Sequence, residues 1–99
     1  MRKYELRSAS VEVRKFSDIK EGCTCSVDLQ NQDYFLIKSY DDKEEALKEL
    51  KKYNTTISTL SDHLGRYYLV EEFFVEENEY DEDGDWISGG DIWEFSKIK

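Results

Sequence analysis

The most regular alternation in the chain runs through residues 66–79. Tyr67, Leu69, Phe73 and Val75 take one side, and Tyr68, Val70 and Phe74 take the other. Successive side chains on a strand point to opposite faces, so apolar groups on both sides predict a central strand partly covered on each. Residues 81–85, Asp-Glu-Asp-Gly-Asp, form a hairpin turn. The chain then returns antiparallel through residues 86–88 and 91–95, with Gly89-Gly90 as a bulge or kink. Ile92 and Trp93 alternate sides again.

Earlier in the chain, residues 3–15 mix β-branched, aromatic and charged positions in near alternation, and read as one long or two short strands. Residues 17–22 are a polar turn with Gly22 as hinge, residues 23–29 a second short strand, and Asn31-Gln32-Asp33 a further turn. Residues 34–40, Tyr-Phe-Leu-Ile-Lys-Ser-Tyr, predict a buried strand. A helix follows. Either Asp41 or Asp42 can cap it, each with a glutamate three residues on, and the acidic first turn suits the positive end of the helix dipole. Ala46, Leu47, Leu50 and Tyr53 share one face at three- and four-residue spacing; Lys43, Lys48, Lys51 and Lys52 look outward, and Asn54 closes the helix. Residues 55–60 predict a strand and residues 61–65 a turn. These elements make one α+β domain over residues 1–99. It is an antiparallel sheet of about four to six strands with one principal helix on one face.

Composition sharpens this picture. Ninety-nine residues sit near the lower end of the size at which one core suffices, but two Trp, seven Tyr and five Phe supply large buried areas. Proline is absent, which argues for continuous elements rather than a linker. No stretch approaches the roughly 18 apolar residues a bilayer span needs. The start Met1-Arg2-Lys3-Tyr4-Glu5 is polar at once, so a cytoplasmic protein is expected.

Charge is more informative than hydropathy. Residues 1–66 hold 12 acidic and 12 basic side chains; residues 67–99 hold 11 acidic ones against Lys97 and Lys99, and so carry the entire net charge of −9. A one-sign surface attracts basic partners and repels nucleic acid and anionic membranes. Direct DNA or RNA binding is therefore not expected.

Candidate chemistry is thin. Cys23 and Cys25 lie too close for an unstrained disulfide and lack two further metal ligands, since His63 is the only histidine. Set against a calcium loop with Gly84 at its sixth position, residues 79, 81 and 83 match, but Gly90 stands where a bidentate glutamate belongs. Ser61-Asp62-His63 has triad residue types, but triads assemble in space and not in consecutive positions. No phosphate loop, HExxH helix or nucleophile elbow is present. No catalytic residue, metal or cofactor is expected.

What remains is the acidic strand pair. Same-face residues on a strand recur at about 6.8 Å, and phosphates along one DNA strand at roughly 3.4 Å. A carboxylate row of that pitch can occupy Lys/Arg sites built for phosphate. Glu71, Glu77, Glu79 and Asp81 fall along one side, with Glu72 and Glu76 on the other; Glu82, Asp83 and Asp85 complete the turn. Tyr80 and Trp86 add aromatic contacts among these charges. Together these eleven residues are the expected partner-binding set. Its premise is that the carboxylates past Tyr67 form one continuous anionic surface.

Residues 68–77, Tyr-Leu-Val-Glu-Glu-Phe-Phe-Val-Glu-Glu, with 81–84, Asp-Glu-Asp-Gly, and 90–95, Gly-Asp-Ile-Trp-Glu-Phe, resemble small uncharacterised proteins of low-GC Gram-positive bacteria and their mobile elements. The helix opening Asp42-Lys43-Glu44-Glu45-Ala46-Leu47 resembles the same group. The likeness covers about residues 34–99 and brings no catalytic residue with it. In size, acidity and α+β build the chain is also similar in type to phage-encoded anti-CRISPR proteins. That similarity implies an inhibitor whose acidic surface sits in the basic DNA channel of an RNA-guided nuclease. The other reading is a mobile-element or housekeeping interaction module with a different partner.

Overall fold

The computed structural model describes residues 1–19 and 33–98. Along the chain run β1 (Arg2–Val13), a 3-10 turn (Phe16–Asp18), β2 (Asp33–Tyr40), α1 (Lys43–Leu50), β3 (Asn54–Asp62), β4 (Gly65–Tyr80), β5 (Trp86–Phe95) and β6 (Lys97–Ile98). The strand expected at residues 23–29, the hinge at Gly22, the turn at Asn31-Gln32 and the two cysteines lie outside the described residues.

The fold is mostly β, a six-stranded sheet in the order β2-β1-β4-β3-β6 with β5 also on β4. It is mixed rather than wholly antiparallel, because β6 runs parallel to β3 at Asn54 and Thr55. β4 is the spine. β1 lines one edge from Val13↔Tyr68 to Arg2↔Glu79. The other edge is divided: β3 pairs with Gly65 to Glu71, and β5 with Phe74 to Tyr80.

Ser96 closes the gap between those two partners. Its backbone N–H donates to the Phe73 carbonyl at 2.7 Å, and its hydroxyl accepts the Phe73 N–H at 2.9 Å. The Thr55 hydroxyl meets the Ser96 hydroxyl at 2.8 Å. Both residues are buried, so this junction ties β3, β4 and β6 where no ladder pair exists.

Alternation along β4 sorts its side chains as the sequence predicts. Val75 joins Leu6, Ala46 and Leu50 in one cluster, edged by Tyr4, Tyr40, Leu47, Tyr53 and Phe73. The Tyr53 and Phe73 rings lie 4.7 Å apart. Phe74 and Ala9 form the opposite cluster with Val11, Ile92 and Phe95. Burying a side chain of the size of Leu50 or Phe74 stabilises the fold by about 1.5–3 kcal/mol.

Asp42 caps the helix, with extended backbone and a side-chain oxygen accepting the Glu44 N–H at 3.3 Å. Asp41 pairs instead with Lys3. Lys52 and Tyr53 donate back to Glu49 and Leu50 in tighter turns that end the helix, and Asn54 opens β3 instead of capping it. Lys48, Lys51 and Lys52 are exposed; Lys43 lies over the Trp93 ring, its ammonium 4.2 Å from the centroid.

β2 departs most from expectation. It is a strand, but Phe35, Leu36 and Ile37 are 61%, 50% and 41% exposed. Among the described residues β2 pairs with β1 alone, at the end of the sheet order. A one-residue register shift between Leu6 and Arg7 makes Ile37 the extra residue of a bulge.

Candidate interaction surface

The turn between β4 and β5 is organised by Asp81. Its side-chain oxygen accepts the backbone N–H of Asp83 at 3.0 Å and of Asp85 at 2.8 Å. Its backbone exchanges with the Asp85 carbonyl at 2.9 Å and the Gly84 N–H at 3.1 Å. Gly84 holds φ at 86°, a region closed to most side chains. With the backbone held this way, the carboxylates of Glu82, Asp83 and Asp85 have no part in the turn and stand exposed. Next to them Trp86 and Ile87 are 59% and 56% exposed. A few steps along β5 Gly90 is the extra residue of a bulge, and Gly89 beside it lies so close to β4 that a Cβ there would sit 2.5 Å from the Glu77 carbonyl.

Glu77, Glu79 and Asp91 lie together on one side of the hairpin, around a shallow cavity shared with Arg2, Ser88 and Gly89. Arg2 Nε donates to Glu79 Oε2 at 3.2 Å, so this carboxylate is partly neutralised. The guanidinium pKa is raised, first by the nearby Glu77 charge. Tyr4 has its phenol pKa raised by desolvation and then by Glu77.

Glu72 and Glu76 do not belong to this surface. They are 0% and 7% exposed. Alternation put them on the face opposite Glu71 and Glu77, and there they face inward. Glu5, Arg7, Glu76, Asn78 and Tyr80 form a buried polar cluster on that face. Cross-strand pairing sets Glu5 directly opposite Glu76. The Asn78 amide lies between them, donating to Glu5 at 2.8 Å and to Glu76 at 2.7 Å. Arg7 donates to Glu5 at 3.1 Å and lies 3.5 Å from Glu76. The Asn78 carbonyl accepts the Trp86 indole N–H at 2.9 Å, and Tyr80 gives its hydroxyl proton to Glu5. Burial and the Glu5 hydrogen bond raise the Tyr80 phenol pKa.

The expected row is therefore not continuous. Glu71 stands apart, opposite Ser10 and Thr56, because Phe73 and Val75 lie between it and Glu77 and pack into the core. Tyr80 is half-buried and occupied by Glu5; Trp86 is anchored by its nitrogen while its ring stays accessible. The outward acidic set narrows to Glu82, Asp83 and Asp85, flanked by Glu77, Glu79 and Asp91.

The chain matches no family model, no curated protein and no solved structure. Among the described residues, no group of three or more His, Cys, Asp or Glu could hold a metal ion, and no helix is long and apolar enough to cross a membrane. Glu5, Arg7 and Asn78 went unmarked in the sequence. Their one signal is position: Glu5 and Arg7 share a face of β1, and Asn78 is the lone amide among the five glutamates of β4.

Proposed function

We propose that this is a non-catalytic cytoplasmic binding protein whose contact element is the acidic β4–β5 turn, taken up by a basic surface of its partner. The observation that carries the reading is the division of labour within the turn. Asp81 and Gly84 hold the backbone, which leaves Glu82, Asp83 and Asp85 free to face a partner. No lysine or arginine occurs from Tyr67 to Ser96 to neutralise them in sequence. Trp86 and Ile87 add the exposed apolar area that makes charged contacts tight.

The partner class that suits this chemistry is a nucleic-acid-binding protein, with the DNA channel of an RNA-guided nuclease as the specific target. In that setting the turn acts as a plug in the channel. The continuous carboxylate row on which the expectation rested is not formed, so this reading rests on the turn alone.

The test is competition. A labelled DNA duplex bound to a guide-loaded nuclease is titrated with the protein, and anisotropy reports displacement. Displacement should weaken steeply with salt and disappear in Glu82→Lys/Asp83→Lys/Asp85→Lys, while circular dichroism stays unchanged. Undiminished displacement by that variant would refute the turn as the contact, and no displacement by the parent would refute the nuclease as target. One observation favours the alternative, an interaction module with an apolar contact: the exposed Phe35, Leu36 and Ile37 of β2. Polar replacement of those three would then abolish partner binding with little change in salt dependence.

A further inference from the structure

A second surface is concave and of the opposite character. Between α1 and β2 lies a groove of about 430 Å³, with Leu6, Ile37, Tyr40 and Tyr53 as its apolar part. The β2 bulge brings Ile37 there out of strict alternation. Lys38, Lys48 and Lys52 stand at its rim with Glu45 and Glu49. Three ammonium groups thus stand against two carboxylates, a surplus of one positive charge, and Lys52, which meets Glu49 at 2.9 Å, is 66% exposed and keeps donors open to a further carboxylate. The turn is its counterpart: a protruding loop with exposed carboxylates and, directly after them, exposed Trp86 and Ile87.

We propose that this groove receives the β4–β5 turn of a second copy of the chain. Asp83 and Asp85 would meet Lys48 and Lys52, and Trp86 would enter the apolar part. The two surfaces differ, so the contact is heterologous and propagates head to tail unless its rotation closes a ring. The net charge of −9 on each copy opposes approach, but at about 0.15 M salt the Debye length is about 8 Å and leaves mainly local pairs in play. A few exposed ion pairs and one aromatic imply weak association, with a dissociation constant of about 10 µM to 1 mM. This inference goes beyond binding of an outside partner and uses Lys48 and Lys52, which have no part in the acidic turn.

Sedimentation velocity over a concentration series at about 0.15 M salt tests it. The parent should sediment faster as concentration rises. Lys48→Glu/Lys52→Glu should lower the association constant about tenfold, and so should Asp83→Lys/Asp85→Lys, each turning attraction into repulsion. Mixing the two variants should restore association, because each then offers what the other's altered surface needs. Recovery on mixing cannot come from a general loss of fold. If Lys48→Glu/Lys52→Glu loses helicity, Lys48→Gln/Lys52→Gln replaces it, with a smaller loss of association expected. A parent that stays monomeric throughout, or a mixture that stays as monomeric as its components, overturns the proposal. DNA competition by Lys48→Glu/Lys52→Glu reads the partner-binding proposal separately.

Discussion

Replacing Asn78 by alanine removes three hydrogen bonds at once from the buried face of β4. Two are donated to carboxylates and one is accepted from Trp86. Bonds to charged groups contribute about 1.5–3 kcal/mol each and neutral ones about 1. Their plain sum overstates the loss, because Arg7 still reaches both carboxylates and Tyr80 still donates to Glu5. The expected cost is therefore about 2–4 kcal/mol, a large share of the roughly 5–15 kcal/mol typical of a domain. Urea unfolding followed by tryptophan fluorescence measures it as a shift in midpoint at constant slope. Trp86→Phe, which removes only the indole bond, should cost about 1 kcal/mol. Asn78→Asp sharpens the test, since it adds a third carboxylate beside Glu5 and Glu76. Its proton is held more tightly in the folded state than in the unfolded one, so the folded state binds more protons and stability falls as pH rises. Asn78→Ala within about 0.5 kcal/mol of the parent, at unchanged slope, would refute the idea that this cluster holds the strands together.

Three further outcomes follow from single positions. Ser96→Ala leaves the part-buried Phe73 N–H without its acceptor and should cost about 1–2 kcal/mol by urea unfolding, with a smaller added loss when Thr55→Val is combined with it. Gly89→Ala sets a Cβ 2.5 Å from a backbone carbonyl at φ +131°, and the β4–β5 ladder should respond with large amide chemical-shift changes and several-fold faster hydrogen exchange. Asp62 titrates below its ordinary 3.8, chiefly through its hydrogen bond from Arg14, with the bond from the Leu64 N–H also contributing. Its contribution is present above 3.8 and fades as pH falls through the lowered value. Arg14→Ala should move the carboxyl titration, read by NMR, back up toward 3.8.

The alternation of β4, the position of α1 and the turn at 81–85 could be read from the sequence because each depends on neighbours within a few residues. The burial of β2 could not. Tyr-Phe-Leu-Ile marks a strand equally well at the centre or the end of a sheet, and only long-range pairing decides between them. β6 escaped notice for a related reason. Two residues carry no periodicity, and their parallel pairing with β3 depends on Ser96 turning the chain across the gap. Within the candidate site, alternation separated Glu72 and Glu76 from Glu71, Glu77 and Glu79 correctly. It could not say which face is closed, since a glutamate is usually outside.

That last point has a physical answer in the structure, and it fixes where the acidic surface starts. Glu76 stays buried because donors reach it from two strands, Arg7 of β1 and the Asn78 amide of β4 itself. The ladder between β1 and β4 ends at Arg2↔Glu79. Glu79 itself still has Arg2 as a partner, and Tyr80 still reaches back to Glu5. Beyond that pair the turn carries its own backbone bonds and has no strand beside it on that edge. Glu82, Asp83 and Asp85 therefore stand exposed to water, whereas Glu72 and Glu76 a few residues earlier are drawn into the fold. The face of β4 on which a carboxylate falls, and whether it lies on the strand or in the turn, thus separates Glu72 and Glu76 inside the fold from Glu82, Asp83 and Asp85 exposed at its tip.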